Sequence, residues 1–413
     1  MRVFISGLLI LLSCMYADAQ HACGSYNYQQ QLLATNPATR ANVAAVEEFV
    51  SRNISSVSSR GGGGVVITIP VVVHILYHQP SDNIPDQRVF DQIAALNAYF
   101  RRLHADTVNT PERFRNVAAD CEIEFKLAIS DPRRRSTTGI IRKYTPIPLW
   151  EANDKMKMSS EMGSDAWDSE KYLNIWVVNL KRQAGYATFP GGPAELDGIV
   201  LNFGSFGLNA GYGYELGKTA VHEAGHWLGL KHIWGDDYCG NDGVDDTPTQ
   251  NNFTMGCPTG VRTSCGNNPN GDMYMNYMDV TLDGCTNLFT EGQKERMHAL
   301  FQPGGGRNKL LYSTGLNPPL IAEIPVEEPA PRWLQPRLYP NPAASEVTID
   351  ISYDTRWIGK TLQLTNFQGQ SIMQVTITAR LQTISLGRLA PGVYFLSGKK
   401  EDGATIREKF VKL

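Results

Sequence analysis

His222-Glu223-Ala224-Gly225-His226-Trp227-Leu228-Gly229-Leu230-Lys231-His232 is the stretch from which the rest of this 413-residue chain can be read. On a helix, His222 and His226 leave the same face one turn apart, a spacing that suits two ligands of one zinc ion. Glu223 then sits one step round the helix, beside the metal but not on it, where a general base for an activated water belongs. Gly229 can take the left-handed conformation that ends a helix. The chain then turns, and His232 arrives from outside the helix as the third ligand. Three imidazoles and one open position describe a catalytic rather than a structural zinc site. The bland alternative is a solvated helix face that happens to carry His and Glu. It accounts for a bare HExxH but poorly for three His, one Glu and one Gly in fixed positions.

The extended pattern is similar to that of the metzincin zinc peptidases. The words Trp227-Leu228-Gly229-Leu230-Lys231-His232, Asp245-Asp246-Thr247-Pro248, Asn276-Tyr277-Met278-Asp279 and Phe289-Thr290-Glu291-Gly292-Gln293 resemble the pappalysin family, in its ulilysin-like and mirolysin-like branch. The resemblance covers about residues 20–315. It implies an α+β metzincin catalytic domain, in which a mixed twisted sheet with backing and active-site helices stands above a loop-rich lower half. It also implies a secreted zinc-dependent endopeptidase acting on proteins or peptides.

Composition narrows the classes. A formal net charge of −3 offers no basic field for nucleic acid, and beyond the N-terminus no apolar run is long enough to span a bilayer. Residues 1–19 read as a secretory signal, with Arg2 at the positive end and Ala17-Asp18-Ala19 as the small-residue cleavage site. Leu11-Leu12-Ser13-Cys14 resembles a lipoprotein box, a rival that would leave a lipidated Cys14. Cleavage after Ala19 leaves six cysteines: Cys23, Cys121, Cys239, Cys257, Cys265 and Cys285. The last four lie in a Gly/Asn-rich loop region, where export makes two disulfides the economical reading, in any of three pairings. Resemblance to the pappalysins implies Cys239–Cys265 and Cys257–Cys285. A second, Cys-ligated zinc would need a CxxC pair that the sequence lacks.

Residues 20–60 look like a pro-segment, with helical periodicity over 28–50. In latent pappalysin relatives a Cys-Gly near the start of this segment can close the open zinc position as a thiolate. The resemblance carries that role to Cys23, and zinc does prefer thiolate to water. A disulfide between Cys23 and Cys121 is the alternative. Ser58-Ser59-Arg60 and the four glycines 61–64 form a flexible joint, a natural place for an activating cut. The catalytic domain is expected over 61–315. Strands are predicted at 65–76, 121–129, 172–180 and 198–203, and an amphipathic helix at 86–104. His74 and His78, at the first strand's end, read as structural.

After His232 the sequence becomes loop-rich. Asp242, Asp245, Asp246 and Thr247 offer hard oxygen ligands on a Gly-containing turn, which suits calcium. The family places calcium here too, with Asp242 and Thr247 side chains and a carbonyl near Asp245; a plain Asp-rich turn is the alternative. Met278 matches the Met-turn, whose methionine supports the zinc ligands from below without binding zinc. Two residues later the family usually carries a tyrosine that hydrogen-bonds the developing oxyanion, whereas this chain has Val280. Valine cannot donate, which makes Tyr277 or Tyr274 the local candidates. Asp283 lies on the loop that would wall the pocket just beyond the scissile bond. In ulilysin-like relatives an acid there favours Arg or Lys, as an unpaired carboxylate in a semi-enclosed pocket should; a solvated turn Asp is the alternative. A closing helix is expected at 289–300, with Thr290 and Gln293 forming a capping box.

A Pro-rich tether at 316–336 leads to short strands at 347–351, 361–365, 372–377, 392–397 and 409–413, a small β-sandwich over 337–413. Leu338-Tyr339-Pro340-Asn341-Pro342-Ala343, Pro391-Gly392-Val393-Tyr394 and the terminal Lys409-Phe410-Val411-Lys412-Leu413 look like a type IX secretion sorting domain. That resemblance implies export through the periplasm of a Gram-negative bacterium, the type IX machinery as partner, and a secreted or surface-attached end state. An accessory carbohydrate-binding sandwich is the alternative. The whole is expected to be a monomer. Opposed to the peptidase stands a non-catalytic surface- or matrix-binding protein on a degenerate metzincin scaffold.

Overall fold

The computed structural model describes residues 21–58, 65–208, 214–322, 324, 335–400 and 403–413. The expected signal, Cys14, Ser59-Arg60 with its glycines, and most of the Pro-rich tether lie outside them.

A short strand β1 (His21–Cys23) opens the described chain, followed by helices α1 (Ser25–Thr35) and α2 (Pro37–Ser58). The expected single helical stretch is thus two helices, separated where Asn36 precedes Pro37, since a residue before proline avoids helical geometry. Strand β2 (Ile67–Tyr77) is buried along nearly its whole length and is followed by helix α3 (Asp86–Phe100). A one-turn helix α4 (Glu112–Arg115) precedes β3 (Ile123–Leu127), β4 (Ile140–Tyr144), β5 (Leu173–Val178), β6 (Gln183–Ala187) and β7 (Ile199–Asn202).

These strands form one seven-stranded sheet in the order β1-β6-β7-β5-β2-β3. On one edge β2 pairs with β3 over its first half and with β4 over its second, and β5 runs along its other edge. All of these pairs are parallel, as is β5 with β7; the antiparallel pair is β6 with β7, and β1 runs parallel to β6, so those two strands are opposite to the rest. A mostly parallel sheet needs cover on both faces, and its strands are accordingly rich in buried Val, Ile and Leu. Helix α3 backs the sheet through Val89, Leu96 and Phe100, all in the main core with Ile69, Phe125 and Ile175.

Helix α5 (Lys218–Trp227) follows, then a long loop region, then α6 (Glu291–Ala299). Two disulfides, Cys239–Cys265 and Cys257–Cys285, tie that region together with Cα separations of 5.8 and 5.7 Å. Both match the pairing that the family resemblance implied. The start of the expected tether is not free: Ile321 accepts from the Ser136 N–H, and the Leu320 N–H donates to the Arg134 carbonyl.

The C-terminal unit has its own core around Trp357, Leu364, Leu396 and Phe410. Its strands are β8 (Arg337–Tyr339), β9 (Glu346–Asp350), β10 (Thr361–Asn366), β11 (Ser371–Thr376), β12 (Leu381–Ser385), β13 (Gly392–Lys399) and β14 (Thr405–Lys412). They make two sheets, β11-β10-β13-β14 and β12-β9-β8, all antiparallel, as a sandwich requires.

Candidate metal centre and active site

Helix α5 presents the whole HExxH segment to the interior, with His222, Glu223 and His226 all buried. Its end is a Schellman motif. Gly229 has φ +83°, its N–H donates to the His226 carbonyl, and the Leu230 N–H donates back to Gly225. That reversal delivers His232.

The three Nε2 atoms converge: His222 to His226 is 3.1 Å, His226 to His232 is 3.2 Å, and His222 to His232 is 3.3 Å. Each Nδ1 already faces an oxygen. His222 donates to the Tyr277 carbonyl at 2.6 Å, His226 to the Leu230 carbonyl at 2.8 Å, and His232 pairs with the Asp236 carboxylate. A carbonyl can only accept, so the proton of those rings sits on Nδ1 and the Nε2 lone pairs point at one another. Burial and the neighbouring His232 push His222 down to about 3 and His226 well below its usual value, so both rings stay neutral and free to coordinate. Converging lone pairs without a hydrogen between them need a cation. The fourth corner is the Cys23 Sγ, 3.4 Å from the His226 Nε2. Among the described residues this is the group whose ligand atoms come together, all within 4.8 Å. Cys121 lies elsewhere, buried in the main core, so the Cys23–Cys121 disulfide is not formed.

Support reaches the site from below. A Cβ on Gly225 would meet the Met278 Sδ at 2.5 Å, so that methionine packs directly under the helix. The Ile233 N–H donates to the Met278 carbonyl, and the Asn276 side chain receives the Met278 N–H while exchanging bonds with Gln293 of α6. Trp234 stacks on His232 at 4.2 Å, with planes 8° apart. Sequence reasoning missed both Trp234 and Asp236. A carboxylate four residues beyond a ligand histidine was the available signal for the latter.

Glu223 is fully buried, and burial pushes its carboxyl up to about 8, against hydrogen bonds from Ser25 and Cys23 that lower it. Ser25 was also missed, although it stands two residues after Cys23. Its Oγ donates to Glu223 Oε2 at 2.6 Å and accepts the Ala187 N–H at 2.8 Å. Glu223 Oε1 has no partner among the described residues. Strand β1 holds this arrangement by pairing with β6 (Cys23↔Gly185), and the Gly24 N–H donates to the Gly185 carbonyl. Farther off, Arg296 of α6 pairs with Glu47 of α2 at 2.7 Å, and Val50 of α2 enters the main core.

A narrow pocket opens beside the helix, walled by Tyr214, Lys218, Glu223, Val280, Thr281 and Asp283. Asp283 is not the unpaired carboxylate expected. Its Oδ2 accepts the Leu216 N–H at 2.9 Å and the Lys218 N–H at 3.3 Å, and burial pushes it up to about 6. The two tyrosines expected to replace a donor at position 280 are committed elsewhere. Tyr277 donates to the His104 Nε2 and Tyr274 to the Gly260 carbonyl. Tyr214 is a further tyrosine on the cavity wall.

In the Asp-rich turn, Thr247 Oγ1 lies 2.9–3.0 Å from both Asp242 oxygens, and Asp245 is exposed. Asp246 instead caps α6, taking the Thr290 hydroxyl and the Gly292 N–H. His74 is fully buried between Ser164 and Asn174, and His78 contacts the Thr145 carbonyl; neither joins the metal group.

Comparison with known proteins agrees with this geometry. Residues 156–302 match the family described as pregnancy-associated plasma protein-A, and residues 337–413 match a secretion system C-terminal sorting domain. An extracellular metalloprotease of Coccidioides posadasii is 30% identical over 326 residues, spanning 73% of this chain and 98% of its own. One from Arthroderma gypseum is 29% identical over 312 residues, spanning 73% and 89%. Among solved structures, mirolysin in complex with a compound is 45% identical, with TM-score 0.59, over 60% of this chain and 97% of its own. A Tannerella forsythia promirolysin mutant is 40% identical, with TM-score 0.64, over 71% and 97%. The chain therefore belongs to the pappalysin family of zinc metalloendopeptidases, as a secreted or cell-surface member that ends in a secretion sorting domain.

Proposed function

We propose that His222, His226 and His232 hold the catalytic zinc and that Glu223 is the general base. The observation carrying this reading is the convergence of three Nε2 lone pairs beside a buried carboxylate with one unpartnered oxygen. Zinc bound there supplies Lewis acidity to a water and to the scissile carbonyl. Glu223 accepts the proton of the attacking water and returns it to the leaving amine nitrogen, so no covalent intermediate forms. Asp236, Trp234 and the Tyr277 and Leu230 carbonyls fix the imidazoles. The loop bearing Asp283 is the wall that receives the residue after the scissile bond and prefers Arg or Lys there.

The described form is, on this reading, latent. Cys23 occupies the fourth ligand position and Ser25 caps the base, so substrate water has no access to either. A cut in the 58–64 joint begins activation, and the same cleavage preference suits Ser59–Arg60. The chain then divides into a signal at 1–19, a pro-segment at 20–60, a catalytic domain at 61–315, a linker at 316–336 and a sorting domain at 337–413 that the type IX machinery recognises. The pairing of Asp242 with Thr247 supports a calcium-binding turn, which added calcium should stabilise in a melting experiment. No observation favours the alternative of a non-catalytic binding protein.

Digestion of an unbiased peptide library by the zinc-loaded protein lacking residues 1–60, beside its Glu223→Ala variant, tests the reading. Cleavage before Arg or Lys is expected, absent in the variant and in chelator. No cleavage with zinc bound would overturn it.

A further inference from the structure

Lys218 is the first residue of α5 and is only 3% exposed, beside a pocket that is read as attracting cations. A buried ammonium on such a wall should cancel the Asp283 charge. A second acid, however, shares that ammonium. The three N–H bonds of the Lys218 Nζ are all committed: to Asp106 Oδ2 at 2.6 Å, to the Asp283 carbonyl at 2.7 Å and to the Thr286 carbonyl at 2.6 Å. None remains for the Asp283 carboxylate, which is held by backbone N–H groups instead. Asp106 lies more than a hundred residues earlier in the chain, in the turn Ala105–Asn109. Its other oxygen takes the His104 Nδ1 proton at 2.5 Å. The Lys218 ammonium also lies 4.8 Å from the centre of the Tyr99 ring. The three formal charges are thus arranged acid–base–acid, and they sum to −1 at the pocket.

We propose that Asp106 is a specificity-determining residue for this peptidase. By neutralising Lys218 it leaves Asp283 as the uncompensated charge that selects Arg or Lys after the scissile bond. The inference rests on the reading of Asp283 given above and adds to it that the selector depends on a remote carboxylate. Asp106 is a positioning residue: it touches no substrate and acts through the ammonium it neutralises.

The test uses full-length protein activated by proteolysis and loaded with zinc. Two peptides, identical except for Arg or Leu after the scissile bond, give an Arg:Leu ratio of kcat/KM. Asp106→Asn keeps the size and an acceptor oxygen but removes the charge, and it should lower that ratio about tenfold or more. Adding Lys218→Met removes the freed cation, and the double variant should recover most of the preference. A merely structural role for Asp106 predicts the opposite, a double variant worse than the single. A ratio unchanged in Asp106→Asn but lost in Asp283→Asn would overturn the inference and leave the Asp283 reading intact. A ratio retained in Asp283→Asn would overturn both. A double variant that recovers nothing would also overturn it.

Discussion

At the scale of single residues, two contacts from one turn of chain, Cys23 to His226 and Ser25 to Glu223, carry the proposed latency. The Ser25–Glu223 bond joins a hydroxyl to a buried carboxyl that burial keeps largely neutral, and bonds of that kind contribute about 0.5–1.5 kcal/mol. Ser25→Ala should therefore raise the open fraction of the full chain roughly twofold to tenfold. The rate of self-processing on a gel, followed from freshly zinc-loaded protein, reads that change directly. Equal rates in variant and parent would remove Ser25 from the latency device. His74 offers a pH test. Burial lowers it from 6.5 to about 4, despite a bond to Asn174 that raises it. Between those values the unfolded chain binds the proton and the folded chain does not, so stability rises with pH. The contribution is whole above pH 6.5 and is lost as pH falls towards 4, by about 3 kcal/mol. Urea unfolding of parent and His74→Gln should diverge at neutral pH and converge near pH 4, because the substituted chain lacks this titration.

At the scale of elements, α6 is where sequence and structure agree most closely. Thr290 accepts the Gln293 N–H, and Gln293 Oε1 accepts the Thr290 N–H, as the capping pattern predicts. The structure adds that Asp246 takes the Thr290 hydroxyl and that Gln293 reaches the Met-turn through Asn276. Thr290→Ala should cost about 1–2 kcal/mol of stability, measured as a lower urea midpoint, and should weaken zinc retention against a competing chelator. An unchanged midpoint would mean that Asp246 alone caps the helix. Other elements were less legible. Strands β4 and β6 carry no strong alternation, and their pairing with β2 and β7 is decided by partners far along the chain. The short β1 has too few residues to show a period; it exists because the edge of β6 is there to receive it.

At the scale of the whole molecule, two separate cores and one ligand set govern stability. The core around Val73, Trp227 and Met297 belongs to the metal-binding part, and that around Trp357 and Leu396 to the sorting domain. Chelation removes a ligand that binds only the folded metal site, so it should lower one melting transition and leave the other in place. Removing zinc at a hundredfold excess over its dissociation constant corresponds to about 2.7 kcal/mol. Calorimetry with and without chelator distinguishes this from a single cooperative unit, in which both transitions would move together.

The sequence by itself determined the three converging histidines, the glutamate beside them, the helix stop at Gly229, the capping box and the two-part organisation. Each of these is a local pattern: ligand spacing on one helix, a left-handed glycine, or a change in the period of apolar residues. Tertiary structure alone decided the rest. Ser25 meets Glu223 across 198 positions of chain, and Lys218 meets Asp106 across 112. Tyr274 and Tyr277, near enough in sequence to serve the pocket, turn their hydroxyls to Gly260 and His104 instead. Spacing along a chain fixes which side chains share a face of one element; it says nothing of which elements fold against that face. The charge balance of the pocket and the closing of the site are set by such long-range contacts, so they became visible only once the chain was folded.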